Sequence, residues 1–326
     1  MKIIDVHTHF YPSRYLNAIR SGDSTVTVKM DVEGNPELHY PGDYNVLVPG
    51  HREINHRQEE FERLGITTAA ISLTTPGTHV EPPARAVRFA QMVNDEFAEI
   101  VAQRNGKFAA YATLPLNDPK ASVVELRRVV EQLGFRAVML FSNVNGVPLA
   151  DERYFPLYEA AESLGVVLHI HPTNPVNVDA MNEYWLMPLV GFLFDTTLAA
   201  ANLVFAGIPE RFPRIPWVLG HLGGAIPYLA ERLDRGFHAF KENRVNIKRP
   251  PSEYLKTWYF DTVNFDPAAL EHAVRFAGAD HILAGSDYPH MIGSPERMKA
   301  AINAMNVSEA ERAAIFGGNA ARLLGL

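Results

Sequence analysis

Eight short apolar runs recur along the chain, and stretches of helical periodicity separate them. The runs are Ile3–Val6, Thr68–Leu73, Phe108–Thr113, Ala137–Phe141, Val166–His171, Trp217–Leu219, Trp258–Asp261 and His281–Ala284. Between them lie segments such as Ala84–Arg104, Lys120–Leu133 and Phe155–Leu164, with apolar residues three and four positions apart, the spacing of one helix face. Parallel strands need a long return connection, which a helix supplies. Gly65, Gly106, Gly134, Gly165 and Gly278 stand where such helices would end in a left-handed residue. Ser308 and Glu311 have capping-box spacing ahead of a last helix. Eight strand–helix units predict an α/β fold, a (β/α)8 TIM barrel, with a doubly wound open sheet as the rival.

A chain of 326 residues suits one domain spanning 1–326 with a well-buried core. Two regions exceed a bare barrel. An insertion at about 11–60 contains the alternating stretch Thr25–Val32 and a turn at Glu33-Gly34-Asn35, which predicts a small β-hairpin after the first strand. A second region at about 172–212, rich in aromatics and Met, predicts a helical lid. Barrel active sites are built from the loops that follow the strands, so both regions are candidates to cover one.

Composition narrows the chemistry. The formal net charge of −7 argues against nucleic acid or an anionic membrane as partner. The absence of cysteine excludes disulfides, thiolate zinc sites and a cysteine nucleophile, leaving His and carboxylate as the strong metal ligands. The apolar stretch Met187–Phe194 is interrupted by Pro188 and Gly191 and followed by Asp195, so it reads as too short to span a bilayer. With no secretion signal at the first residues, a cytoplasmic location is expected.

His7-Thr8-His9 ends the first run. Alternate side chains of a strand share a face, so the two imidazoles project together, half of a divalent-metal shell. The fifth run reads His169-Ile170-His171-Pro172. His171, nearer the strand end, is the expected third ligand, and His169 is expected behind it or as a core histidine. The sixth run leads into His221-Leu222-Gly223-Gly224, where a histidine followed by glycines reads as a catalytic base or a further nitrogen ligand. Asp287 follows the eighth run, placed to bind metal and to move a proton. The ends of strands one, five, six and eight thus carry one constellation, in chain order.

That set resembles the amidohydrolase superfamily, specifically its branch of metal-dependent decarboxylases typified by α-amino-β-carboxymuconate-ε-semialdehyde decarboxylase. The resemblance extends through Tyr184-Trp185-Leu186, Glu210-Arg211-Phe212-Pro213, His221-Leu222-Gly223-Gly224-Ala225, Gly285-Ser286-Asp287-Tyr288-Pro289 and Gly318-Asn319-Ala320. It implies that His7, His9, His171 and Asp287 hold the metal and that His221 is the acid/base residue beside it. Strand four, Phe135–Asn143, has no lysine to bridge two metals, so the resemblance implies one divalent ion, zinc first and manganese as the alternative.

The resemblance implies decarboxylation of an aromatic or unsaturated carboxylic acid, with a small-molecule carboxylate as substrate and a homodimer as the assembly. Hydrolysis or hydration of a lactone, amide or unsaturated acid is the rival on the same site, and a non-catalytic metal-binding barrel is a more distant one. Candidate substrate contacts are Arg52, with Arg57 near it, for a carboxylate, and His290, Trp185 and Phe141, with Tyr288, for an aromatic ring. Asn143 and Asn174 add polar groups at strand-end loops.

Overall fold

The computed structural model describes residues 2–22, 24–175, 181 and 183–326. Eight parallel strands follow one another in chain order: β1 (Ile4–His9), β2 (Thr68–Ser72), β3 (Phe108–Ala112), β4 (Ala137–Phe141), β5 (Val167–His171), β6 (Trp217–Leu219), β7 (Tyr259–Asp261) and β8 (Ile282–Leu283). The ring closes between β1 and the segment after β8. Val6 N–H donates to the Ala284 carbonyl at 2.8 Å, Asp287 N–H to the His7 carbonyl at 2.8 Å, and His9 N–H to the Tyr288 carbonyl at 2.8 Å. This is the predicted (β/α)8 barrel, and the open doubly wound sheet is excluded by that closing seam.

The local signals act where they stand. Helices Pro83–Gln103, Pro119–Glu131 and Phe155–Leu164 cover the barrel with the apolar faces read from their periodicity, burying Phe89, Val93, Phe97, Leu126, Val129 and Leu157. Gly165 caps the third of these at φ 64°, and Ser308 and Glu311 form a reciprocal capping box. Where the strands begin, the terminal helix Asn319–Leu324 closes the barrel, with Ala320 and Leu324 packed on Ile4, Val6, Tyr111 and Met139.

The insertion forms a three-stranded antiparallel sheet, Thr27–Met30, Pro36–Tyr40 and Asp43–Val46, adding a third strand to the two of a hairpin. Asn45 Nδ2 donates to the Thr75 carbonyl at 2.7 Å and to Tyr11 Oη at 3.0 Å, which pins the sheet over the loops after β1 and β2. In the expected lid, residues 176–180 and 182 lie outside the described residues. The remainder is a π-turn, Met187–Gly191, running directly into the helix Phe192–Phe205. The apolar element is therefore 19 residues from Met187 to Phe205, longer than the run suggested and long enough by composition to cross a membrane. It packs as a barrel helix, burying Ala200, Leu203 and Val204 and turning Asp195 inward to accept hydrogen bonds from Ser142 Oγ and Asn143 Nδ2.

Arg57, on the helix Ile54–Arg63, is fully buried. Its guanidinium donates to the Gly50 carbonyl at 3.0 Å, to Thr8 Oγ1 at 2.8 Å and to the His9 carbonyl, with the Tyr288 ring 4.8 Å away. It clamps the insertion to the end of β1. Arg57→Met should strand these acceptors in the interior at about 1–3 kcal/mol each, a loss of about 3 kcal/mol or more that urea denaturation measures directly.

Candidate active site

The histidines and the aspartate meet where the strands end. One ligand atom each from His7, His9, His171 and Asp287 lies within 4.8 Å of the others, and all four residues are buried. His9 Nε2 is 3.1 Å from His7 Nε2 and 3.0 Å from Asp287 Oδ1, which is 3.3 Å from His7 Nε2.

The outward nitrogens decide what the inward ones can do. His171 Nδ1 donates to the Pro172 carbonyl at 2.6 Å, and His7 Nδ1 donates to Asp261 Oδ2 at 2.5 Å. His9 Nδ1 lies 3.1 Å from Ser72 Oγ, whose hydroxyl already donates to the Thr8 carbonyl, so the serine oxygen accepts from the imidazole. Each ring thus engages its Nδ1 outward and turns Nε2 to the cluster, the arrangement that metal-ligating histidines take from their outer partners. Lone pairs 3.1 Å apart repel unless a positive charge sits among them. Burial alone would push the His7 pKa down, but the Asp261 and Asp287 carboxylates outweigh it and lift it to about 10. Burial alone would raise the Asp287 pKa, and the imidazoles of His221, His7 and His9 set against its oxygens carry it well below the ordinary carboxylate value. Three imidazole nitrogens and one carboxylate around a point that demands positive charge fit a divalent cation with an open coordination position.

Backbone strain and glycine aim the remaining groups. His221 and Leu222 adopt φ of 53° and 55°, followed by Gly223 at 72° and Gly224 at 60°. This left-handed run turns the chain sharply off β6 and places His221 Nε2 3.6 Å from Asp287 Oδ2. A Cβ on Gly224 would lie 2.1 Å from the Leu193 carbonyl oxygen, so no side chain fits there. Asp287 is itself at φ 60°. Gly285 passes behind the ligands with room for no more than a hydrogen, its notional Cβ 3.0 Å from the Cβ atoms of both His7 and Asp261.

His169 lies one layer down against Tyr111 and His7, ring centroids 5.4 and 5.2 Å away. It is not among the four converging residues, and burial lowers its pKa to about 3. His290 borders the cluster, its ring 4.9 Å from that of His9 and 5.0 Å from that of the buried His51. Phe141 lies 6.4 Å from His171 and 4.7 Å from His79. Trp185 is exposed and leans on Tyr44 of the inserted sheet, 5.6 Å between centroids. Arg52 is turned to the Leu47 carbonyl at 3.1 Å and to Glu53, so the structure does not bring it to the cluster. Tyr288 faces Arg57 and Phe61 on the outer side.

Asp261 and Ser72 escaped the sequence reading. Both end barrel strands, and a carboxylate at the end of β7 was a legible signal once β1 held His7. Asp261 is fully buried and is fixed by the backbone N–H groups of Leu222 at 3.1 Å and Val263 at 3.0 Å, so it links His7 to the strained turn bearing His221. Outer partners of this kind are worth about 10–100-fold in metal affinity. Asp261→Asn should weaken manganese binding by about that factor, read by competition with a fluorescent chelator.

The comparisons with known proteins agree with this geometry. The amidohydrolase family model, Amidohydro_2, matches residues 4–326. The 2-amino-3-carboxymuconate-6-semialdehyde decarboxylase of Dictyostelium discoideum is 30% identical, the alignment covering 99% of this chain and 91% of that protein. The crystal structure of 5-carboxyvanillate decarboxylase from Sphingomonas paucimobilis superposes with a TM-score of 0.89 at 26% identity, covering 100% of this chain and 99% of the other. A dihydroxybenzoic acid decarboxylase from Polaromonas sp. JS666, solved with bound manganese and the inhibitor 2-nitroresorcinol, superposes at 0.78 with 26% identity over 99% and 96% of the two chains. With its whole barrel matched and the four metal-capable residues converging at its mouth, this chain belongs to the amidohydrolase family, among the relatives of its metal-dependent decarboxylases.

Proposed function

We propose that this protein is a mononuclear metal-dependent carboxy-lyase that removes CO2 from an aromatic or unsaturated carboxylic acid. The observation that carries the reading is the buried His7–His9–His171–Asp287 cluster with His221 beside it, in a chain whose compared relatives are named decarboxylases. A divalent ion bound there would supply positive charge to hold the substrate carboxylate with a neighbouring oxygen and to stabilise charge developing on the substrate.

The chain's own residues do the rest. The carbon–carbon bond to the carboxylate breaks, its electron pair stays on the ring or chain carbon, and that carbon takes up a proton as CO2 leaves. Asp287 is held ionised by its three histidine neighbours. His221, whose Nδ1 has no partner among the described residues, is therefore the group that holds a proton and hands it on beside Asp287. With an ion bound on Nε2, the outer hydrogen bonds of His7, His9 and His171 would keep those rings as ligands and out of the proton traffic. For the ion itself, three imidazoles speak for zinc and the manganese of the Polaromonas relative speaks for manganese; we propose manganese as the working ion.

We also propose a homodimer, with the exposed apolar face of Trp185, Leu189, Phe194 and Leu198 as its contact, since contiguous exposed apolar surface marks an interaction site. Light scattering should give twice the chain mass, and Phe194→Lys with Leu198→Lys should give one chain mass. For the reaction, protein stripped with chelator and reloaded with manganese should release CO2 from salicylate or 2,6-dihydroxybenzoate. Zinc reloading should restore less. His221→Ala should keep the metal and lose about 10²–10⁴-fold in kcat. Turnover of lactones or esters without CO2 release from any aromatic acid would sink the decarboxylase reading.

A further inference from the structure

Pro172 follows the metal-cluster histidine His171 directly at the end of β5. It has no backbone N–H with which to pair to a neighbouring strand. Its carbonyl is nevertheless the acceptor that His171 Nδ1 uses, at 2.6 Å, to turn Nε2 to the cluster. The position of that carbonyl therefore depends on what holds the residues on either side of it. Ser142, the residue after β4, holds both. Its N–H donates to the His171 carbonyl at 2.9 Å, and its Oγ accepts from Thr173 N–H at 3.0 Å. One serine thus brackets the proline and fixes the acceptor that orients a metal ligand.

A hydroxyl that accepts from Thr173 keeps its own proton for one further partner. That partner is Asp195, buried on the helix Phe192–Phe205. Ser142 Oγ donates to Asp195 Oδ2, and Asn143 Nδ2 donates to the same oxygen at 3.0 Å. With its proton committed to that oxygen, the serine is left with its lone pairs for Thr173. The helix is seated independently of this carboxylate. Thr197 Oγ1 accepts from Ala225 N–H at 2.8 Å and donates to the Leu193 carbonyl at 2.7 Å, and Gly224 lies too close to that carbonyl for any side chain. Asp195 is therefore the fixed end of this chain of hydrogen bonds, and Ser142 the guided one. A buried carboxylate is costly unless it is hydrogen-bonded, and packing alone would be served by an apolar side chain.

We infer that Asp195 is a positioning residue for the metal site, acting through Ser142 to hold the Pro172 carbonyl that orients His171. This rests on the metal reading of the His7–His9–His171–Asp287 cluster. It goes beyond that reading in tying the strength of metal binding to a carboxylate on the covering helix, which reaches the ligand through Ser142.

The test measures manganese affinity by chelator competition and the visible absorption of the cobalt(II)-loaded protein, beside the unfolding midpoint of the metal-free protein. Asp195→Ala and Ser142→Ala should each weaken manganese binding by about tenfold, the lower end of what a ligand's outer partners contribute. Both should also shift the cobalt absorption, as the His171 ring loses its fixed aim. The double variant should lie within about threefold of the weaker single one, because both substitutions break one chain of contacts. Asp195→Asn, which keeps an oxygen for Ser142, should stay within about threefold of the parent. Val129→Ala, a core truncation on the helix Pro119–Glu131, should lower the unfolding midpoint and leave manganese affinity and the cobalt spectrum unchanged. The inference is overturned if Asp195→Ala binds manganese as the parent does, if the two losses multiply in the double variant, or if Val129→Ala weakens binding as much. If Asp195→Ala does not fold, Asp195→Leu takes its place, and unchanged affinity in Ser142→Ala overturns the inference by itself. A parent protein that binds no manganese would overturn the metal reading itself, whereas parent binding with no effect at Asp195 overturns this inference alone.

Discussion

Closure of β1 against the segment after β8 is the constraint on which the rest of this structure depends. Two hydrogen bonds, His9 N–H to the Tyr288 carbonyl and Asp287 N–H to the His7 carbonyl, bring together residues from opposite ends of the chain. They set the first-strand histidines beside Asp287 to about 3 Å, a distance no local signal could impose. Asp5 reinforces the seam from below, accepting from Ser286 N–H at 3.0 Å and Ser286 Oγ at 2.5 Å. Arg57 reinforces it from outside by holding the His9 carbonyl and Thr8. A barrel sealed this way leaves no strand edge and a mouth rigid enough to hold ligands in place.

Around that seam the polar groups form one connected system. Asp261 accepts from His7 and from the backbone of Leu222, so the orientation of one ligand and the turn carrying His221 share a single carboxylate. The site concentrates negative charge from Asp261 and Asp287 against the rings of His7, His9 and His171, whose outer nitrogens are engaged. The net result is a preformed place for a cation, with the His221 Nε2 atom 3.6 Å from Asp287 Oδ2. The strain of a left-handed His221 and Asp287 is the backbone cost of that placement, of the kind that collects at functional sites.

Much of this was legible before any coordinates. The eight runs become the eight barrel strands because strand and helix periodicities are local properties of the chain, and Gly165 and Ser308 act at the ends they mark. His7, His9, His171, His221 and Asp287 could be read because each follows a strand, and strand ends converge in a barrel. Asp261 also ends a strand, yet a lone carboxylate carries no pattern until its partner is known. Arg52 and Arg57 lie five residues apart, and only packing separates them, one turned to Glu53 and the other buried against β1. The third strand of the insertion, Asp43–Val46, escaped notice because Asp-Tyr-Asn-Val is only four residues long and half of it is Asp and Asn, which are depleted in strands.

The amino-acid sequence by itself determined the order of strands and helices, the set of possible metal ligands and the exclusion of thiol chemistry, since these follow from residue type and short-range periodicity. The tertiary structure alone decided which nitrogen of each histidine faces the cluster, that Asp261 orients His7, and that Arg57 is a clamp. Those properties belong to pairs of residues tens to hundreds of positions apart, such as His7 and Asp261. Distance in space, which sets hydrogen bonding and electrostatics, is fixed only when the barrel closes.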